Sequence, residues 1–266
     1  MAVIVFTSAT GAPGTTTSSL AMALTWPRHV LLADCDREPG QAVQAWYLRG
    51  MDHGGRGMMS LAHLHREGHD LTAELWRLTL PLVEDGAVQR RFLPGFTSPG
   101  AARLFEHVWP SLGEAFEGLD AQGIDVLVDA GRLSTSGLPL GLLSCADVVL
   151  LVVRTSLRSL AGARIHLPAL ADQVEALPRQ VAVGLLVVGP GRPYSTSEIA
   201  AQFSVPAWAE APWDPKLAGV LSDGDREPRK FFEGSFMGRF RADAKGVTDR
   251  LATTRETAAL VVGGAS

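Results

Sequence analysis

Five short runs rich in Val, Leu and Ile recur along the chain: Val3 to Phe6, Val30 to Ala33, Ile124 to Val128, where Asp125 is the one polar residue, Val148 to Val153 and Val181 to Val188. A strand with one wetted face alternates apolar and polar residues; a strand apolar at every position must be covered on both sides, which a parallel sheet between two helical layers provides. Each run is followed by a Gly/Pro/Ser-rich loop and then by residues at helical spacing. The fold class is therefore α/β, a mainly parallel sheet with helices on both faces. Leu104, Phe105, Val108, Leu112, Phe116 and Leu119 mark one crossover face, with Pro110 expected to kink or divide it. Leu160, Leu167, Leu170, Val174 and Leu177 mark a second, interrupted by Pro168.

With no low-complexity linker, residues 1–260 are expected to form a single domain. Residues 48–70, which carry Gly50, Gly54, Gly55, Gly57 and Gly68, read as a mobile insertion, and 261–266 as a frayed tail. Cys35 and Cys145 adjoin apolar runs and are expected as buried thiols in a reducing cytoplasm. Met1 to Phe6 has neither the basic flank nor the length of a signal peptide. The longest apolar stretch, Gly137 to Val153, is broken by Pro139 and Asp147 and falls short of the ~20 residues of a membrane span. A formal charge of -4, from 24 Lys+Arg against 28 Asp+Glu, disfavours DNA or an anionic membrane as a general partner.

The loop after the first run, Ser8 to Leu20, has the character of a phosphate-binding loop. Gly11 and Gly14 let backbone N–H groups converge on an anion, and the positive end of the following helix adds to the attraction. The G-x-x-x-x-G-K-[ST] pattern falls on Ala9 to Thr16, with Ala9 for its first glycine and Thr15 for its lysine. The second run ends in Asp34-Cys35-Asp36, where strand alternation points both carboxylates the same way. The strand after Gly123 ends in Asp129, as a magnesium-holding aspartate would. All three signals sit at carboxyl ends of strands, where open α/β sheets bind ligands.

In this combination the sequence resembles the MinD/ParA family of deviant P-loop ATPases and, more distantly, its CpaE/TadZ relatives of pilus loci. Thr10 to Thr17 lies where the family has K-G-G-x-G-K-T-T, Asp34-Cys35-Asp36 on its D-x-D, Asp129 on its Walker B aspartate, and Ala211-Pro212-Trp213-Asp214 on its late I-P-x-D loop. The resemblance implies ATP and Mg2+ as cofactors. Gly11, Ala12, Pro13, Gly14, Thr15, Thr16 and Thr17 would hold the nucleotide, Thr16 and Asp129 the metal (Asp129 through water), and Asp36 would position the attacking water. It implies an ATP sandwich dimer that recruits partners or membrane.

The departures are as specific as the matches. Thr15 replaces the lysine in cis and Thr10 the lysine that reaches across the dimer. Gly189 stands where many relatives have an adenine-reading asparagine, and the chain has no asparagine. Each lost charge-assisted contact is worth about 1.5 to 3 kcal/mol. Arg37, Arg132 and Arg154 are the candidate substitutes, or else solvated loop charges.

Three functional readings follow: an ATPase switch with other groups in place of the lysines, a pseudo-ATPase scaffold, and an active partition or septum-site ATPase. The leading expectation is a positioning or assembly factor for a pilus or secretion machine. It would be cytoplasmic, or peripheral at the inner membrane through a protein partner, and would form a homodimer. His63, His65 and His69 have residue types for a metal but read better as an exposed helix end. Arg226 to Arg241 interleaves five basic residues with Phe231, Phe232, Phe236 and Phe240, which reads as an aromatic helix face packed on the sheet with arginines turned outward, and its exposed part as a partner surface.

Overall fold

The computed structural model describes residues 1–83, 86–98 and 100–263, with side chains through residue 255. In chain order, β1 (Val3–Ser8) leads into α1 (Thr15–Thr25) and β2 (Val30–Asp34). A π-helical turn, Val43–Tyr47, precedes α2 (Met58–Arg66) and α3 (Leu71–Leu75). Next come β3 (Leu80–Pro81), β4 (Arg90–Leu93), α4 (Ala101–Leu104), α5 (Trp109–Gly118), β5 (Asp125–Arg132), α6 (Leu140–Cys145) and β6 (Val148–Arg154). The chain closes with α7 (Leu157–Glu175), β7 (Ala182–Val188), α8 (Thr196–Phe203), β8 (Ala207–Ala211), α9 (Pro215–Ser222) and α10 (Ser235–Gly263).

The strands form one sheet in the order β3-β4-β2-β5-β1-β6-β7-β8, parallel except for the antiparallel edge pair β3–β4. All five apolar runs are strands of its interior. Alternation divides their side chains between two cores: Val3, Val5, Val126, Val128, Val149, Leu151 and Val153 face the layer holding α2 to α7, whereas Ile4, Phe6, Leu127, Val148, Leu150 and Val152 face α1, α9 and α10. This is why these runs are almost wholly apolar, the exception being Asp125 at the amino end of β5.

Pro110 divides the first crossover into α4 and α5 and sits in the first turn of α5, where its missing N–H costs nothing. Leu104, expected on the buried face, is 73% exposed, because α4 ends there and its residues no longer share the face of α5. Pro168 lies inside α7 without ending it. Within residues 48–70, α2 is docked on the core through Met58 and Leu61. In the stretch read as a frayed tail, α10 continues to Gly263, and 264–266 lie outside the described residues. Both cysteines are buried free thiols. No described helix is long and apolar enough to cross a membrane.

At the amino edge, the fully buried Asp125 ties three segments together, accepting from the Ala2 N–H (2.6 Å), from Trp26 Nε1 (2.7 Å) and from Arg28 Nε (2.8 Å). The opposite, carboxyl edge carries the glycine-rich loop and both predicted aspartates.

Candidate nucleotide site

The loop between β1 and α1 turns on two glycines in left-handed conformations, Gly11 at φ 60° and Gly14 at φ 101°. Side-chain-bearing residues rarely adopt such angles. The Gly14 carbonyl accepts the first intrahelical bond, from Ser18 N–H at 2.8 Å. No side chain caps α1 and no acidic residue lies in its first turn, so none of the helix's own first-turn side chains offsets its positive end. β1 lies between β5 and β6, so α1 begins between the ends of these two strands.

Asp129 reaches this helix start from β5. The hydroxyls of Thr16 and Ser19 face its carboxylate, and the Gly131 N–H donates to it at 3.0 Å. Burial is the largest influence and pushes the carboxyl up to about 6, against those hydrogen bonds. A hydroxyl beside a buried carboxylate of raised pKa is an oxygen donor set suited to a hard divalent cation, whose charge would favour the ionised form. Magnesium therefore fits Thr16 and Asp129.

Asp34 and Asp36 do not share the extended strand on which the alternation rests. β2 ends at Asp34, and the Asp36 N–H folds back onto Asp34 Oδ1 at 3.2 Å, so the extended geometry behind the alternation is lost. Asp34 turns toward the β4 flank, where its carboxylate lies against Gly95; a Cβ there would come within 2.6 Å of it. Asp36 turns toward the β5 flank and rests on Gly131, itself at φ 61°. Burial raises both carboxyls; Asp129 raises Asp34 further, whereas the Glu38 N–H, Arg132 and Arg37 work to lower Asp36.

Thr15 is buried and its hydroxyl has no hydrogen-bond partner among the described residues. Thr10 is turned away from the helix start onto α7, where its side chain packs on Gly162 so closely that any other residue at 162 would collide with it. Of the three candidate arginines, Arg37 is engaged with Ser134 Oγ (2.6 Å) and with the Gly137 carbonyl. Arg132 stands within electrostatic reach of Asp36, and Arg154 stacks on Trp213, its Cζ 3.9 Å from the ring centroid.

Trp213, in the stretch set on the family's late I-P-x-D loop, and Gly189 meet in one assembly at the ends of β6, β7 and β8. Thr155 N–H donates to Val188 O (3.2 Å), Thr155 Oγ1 to Gly189 O (3.0 Å), and Gly189 N–H to Ala211 O (2.9 Å). These bonds lock the ends of β6, β7 and β8 together. Gly189 lies against Trp213, with a Cβ there 3.2 Å from the tryptophan's own.

The other candidates separate. α2 ends before Gly68, which sits at φ 78°, so His65 and His69 share no helical face; His63 and His69 both lie near Glu67, and no group of three or more metal-ligating side chains occurs among the described residues. Phe231, Phe236 and Phe240 are buried in edge-to-face and stacked contacts beneath α10, with Arg239 paired to Asp243 and Glu210 on the outside.

No family model matches the sequence, and no curated protein matches it. Solved structures do. A ParA family ATPase from Chlorobium tepidum TLS superposes with a TM-score of 0.69 over 91% of this chain and 98% of that one, at 15% identity. The septum site-determining protein MinD from Pyrococcus horikoshii OT3, complexed with Mg-ADP, gives 0.64 over 94% and 97%, at 18% identity. A plasmid partition protein from Borrelia burgdorferi B31 bound to AMPPNP gives 0.64 over 94% and 98%, at 13% identity. The chain thus has the MinD/ParA P-loop fold over nearly its whole length.

Proposed function

We propose that this chain, built on the MinD/ParA fold, is a nucleotide-binding positioning or assembly factor whose lysine-free loop holds Mg-ATP weakly and turns it over at or near background. The observation that carries this reading is the meeting of Thr16, at the open N-terminus of α1, with the buried Asp129 of β5, in a loop where Thr15 stands in place of a lysine.

The N–H groups of the Gly11–Thr17 loop would bind the phosphates, a role they fill without side-chain charge. Thr16 and Asp129 would hold magnesium, whose charge, when bound, stabilises developing negative charge on the phosphates. Asp36 is fixed by Gly131 and the Glu38 N–H (2.9 Å to Asp36 Oδ1). Its carboxyl, raised by burial, is suited to accept a proton from an adjacent water. With no lysine at Thr10 or Thr15, the charge that would complete the site is missing from both of the family's positions. Such a protein would act chiefly by the surfaces it presents, to a protein component of a pilus or secretion machine and to a second copy of itself.

Equilibrium titration with Mg-ATP, together with single-turnover hydrolysis, tests the reading: weak, magnesium-dependent binding with turnover near the uncatalysed rate is expected. Complete absence of binding would remove nucleotide from the function. Fast turnover would return the protein to the active partition or septum-site ATPases.

A further inference from the structure

Resting on that nucleotide reading, we infer that Arg154 is the cation that replaces the missing loop lysine, held on Trp213 until a polyphosphate draws it off. Alternation along β6 puts Arg154 on the same side of the sheet as Val148, Leu150 and Val152, which face α1. Alternation along β5 puts Asp129 on that side too, two residues past Leu127. β5 and β6 flank β1 on its two sides, and Ser8, from which the loop springs, pairs with Val152, two residues before Arg154. The N-terminus of α1 therefore rises between an aspartate suited to the metal on one side and an arginine on the other.

The neighbouring arginines are engaged elsewhere. Arg37 serves Ser134, Ser136 and the Gly137 carbonyl, and Arg132 offsets Asp36. Arg154 has a π face and, among the described residues, no ion pair with a carboxylate: its guanidinium lies over a tryptophan that is 37% exposed. Such a contact at an exposed site is weak beside the charge-assisted, bidentate bonds an arginine makes to phosphate. The backbone around it is fixed, by Ser159 Oγ accepting from the Arg154 N–H at 3.0 Å and by the Thr155 bonds to β7. Only the side chain has to move, and Trp213, left behind, reports the movement.

The test follows tryptophan emission while the full chain is titrated with Mg-ATP and, separately, with the base-free probe magnesium triphosphate. Both are expected to bind and to change an emission component that Trp213→Phe abolishes. Arg154→Ala is expected to weaken both about ten- to a hundredfold, and Arg154→Lys to recover part of the loss. Circular dichroism and thermal melting establish that the variants fold; should Arg154→Ala not fold, Arg154→Gln is measured in the same way. Unchanged affinity on loss of the Arg154 charge, or the loss appearing with Arg132→Ala instead, would overturn the assignment while leaving nucleotide binding in place. A Trp213 response to ATP but not to triphosphate would also overturn it, since it would mark base stacking instead of guanidinium release. If the unaltered protein binds neither probe, the nucleotide reading falls and this role falls with it.

Discussion

The carboxylate of Asp36 rests on Gly131 in the space where a side chain at 131 would stand. Gly131 is also left-handed, at φ 61°, so two independent features of one position forbid a Cβ.

Gly131→Ala is therefore expected to lower stability by roughly 1–3 kcal/mol through backbone strain and to displace Asp36 from the site. Urea unfolding measures the first effect. Loss of magnesium-dependent nucleotide binding, larger than that of Asp36→Asn, would show that the displaced carboxylate also disturbs Asp129.

Asp129 makes stability depend on pH in a direction set by its raised pKa. A carboxyl held at about 6, against an ordinary 3.8, binds its proton more tightly in the folded state than in the unfolded chain. The stabilisation is complete below about pH 4 and is lost as pH rises through 6. Asp34, also raised, works in the same direction. Asp129→Asn should thus be more stable than the unaltered protein at pH 7.5, by up to roughly 3 kcal/mol, with the gap closing toward pH 4. Denaturant midpoints at the two pH values give the answer; a gap that does not narrow on acidification would refute the burial argument.

Thr15 offers a direct gain-of-function test. Its hydroxyl is buried without a partner among the described residues, so the threonine offers neither a hydrogen bond nor a charge there. Thr15→Lys should tighten Mg-ATP by about ten- to a hundredfold, the worth of one charge-assisted contact. Calorimetric titration of the two proteins side by side measures the difference. No gain would mean that something besides the missing charge restricts the loop.

At the opposite edge, Asp125 is a structural counterpart with no part in the site. Asp125→Ala leaves the Ala2 N–H and Trp26 Nε1 without their acceptor inside the protein. A loss of roughly 2–3 kcal/mol is expected, with nucleotide binding unaffected once the protein is folded. Thermal melting paired with Mg-ATP titration separates the two.

Much of this architecture is written locally. The central stretches of the interior strands are apolar because both faces are covered, and that requirement acts residue by residue. The turn at Gly11 and Gly14, and the carboxylates at strand ends, are equally local. The outer strands are not. β4 reads Arg90-Arg91-Phe92-Leu93, and its polar half is accommodated only because Arg91 bonds Thr79 and lies over Trp76, 5.2 Å from its centroid. β8, Ala207–Ala211, is an edge strand whose pairing with β7 depends on a neighbour distant in sequence. The sequence by itself determined the layered sheet, the glycine turn and the aspartates that end β2 and stand in β5, Asp34 and Asp129, because periodicity and strand ends are properties of adjacent residues. Only the tertiary structure decided that the chain turns between Asp34 and Asp36, that Thr10 packs on Gly162, and which of three arginines rests on an aromatic ring. A side chain's commitments are made across the fold, to residues that its own stretch of sequence does not contain.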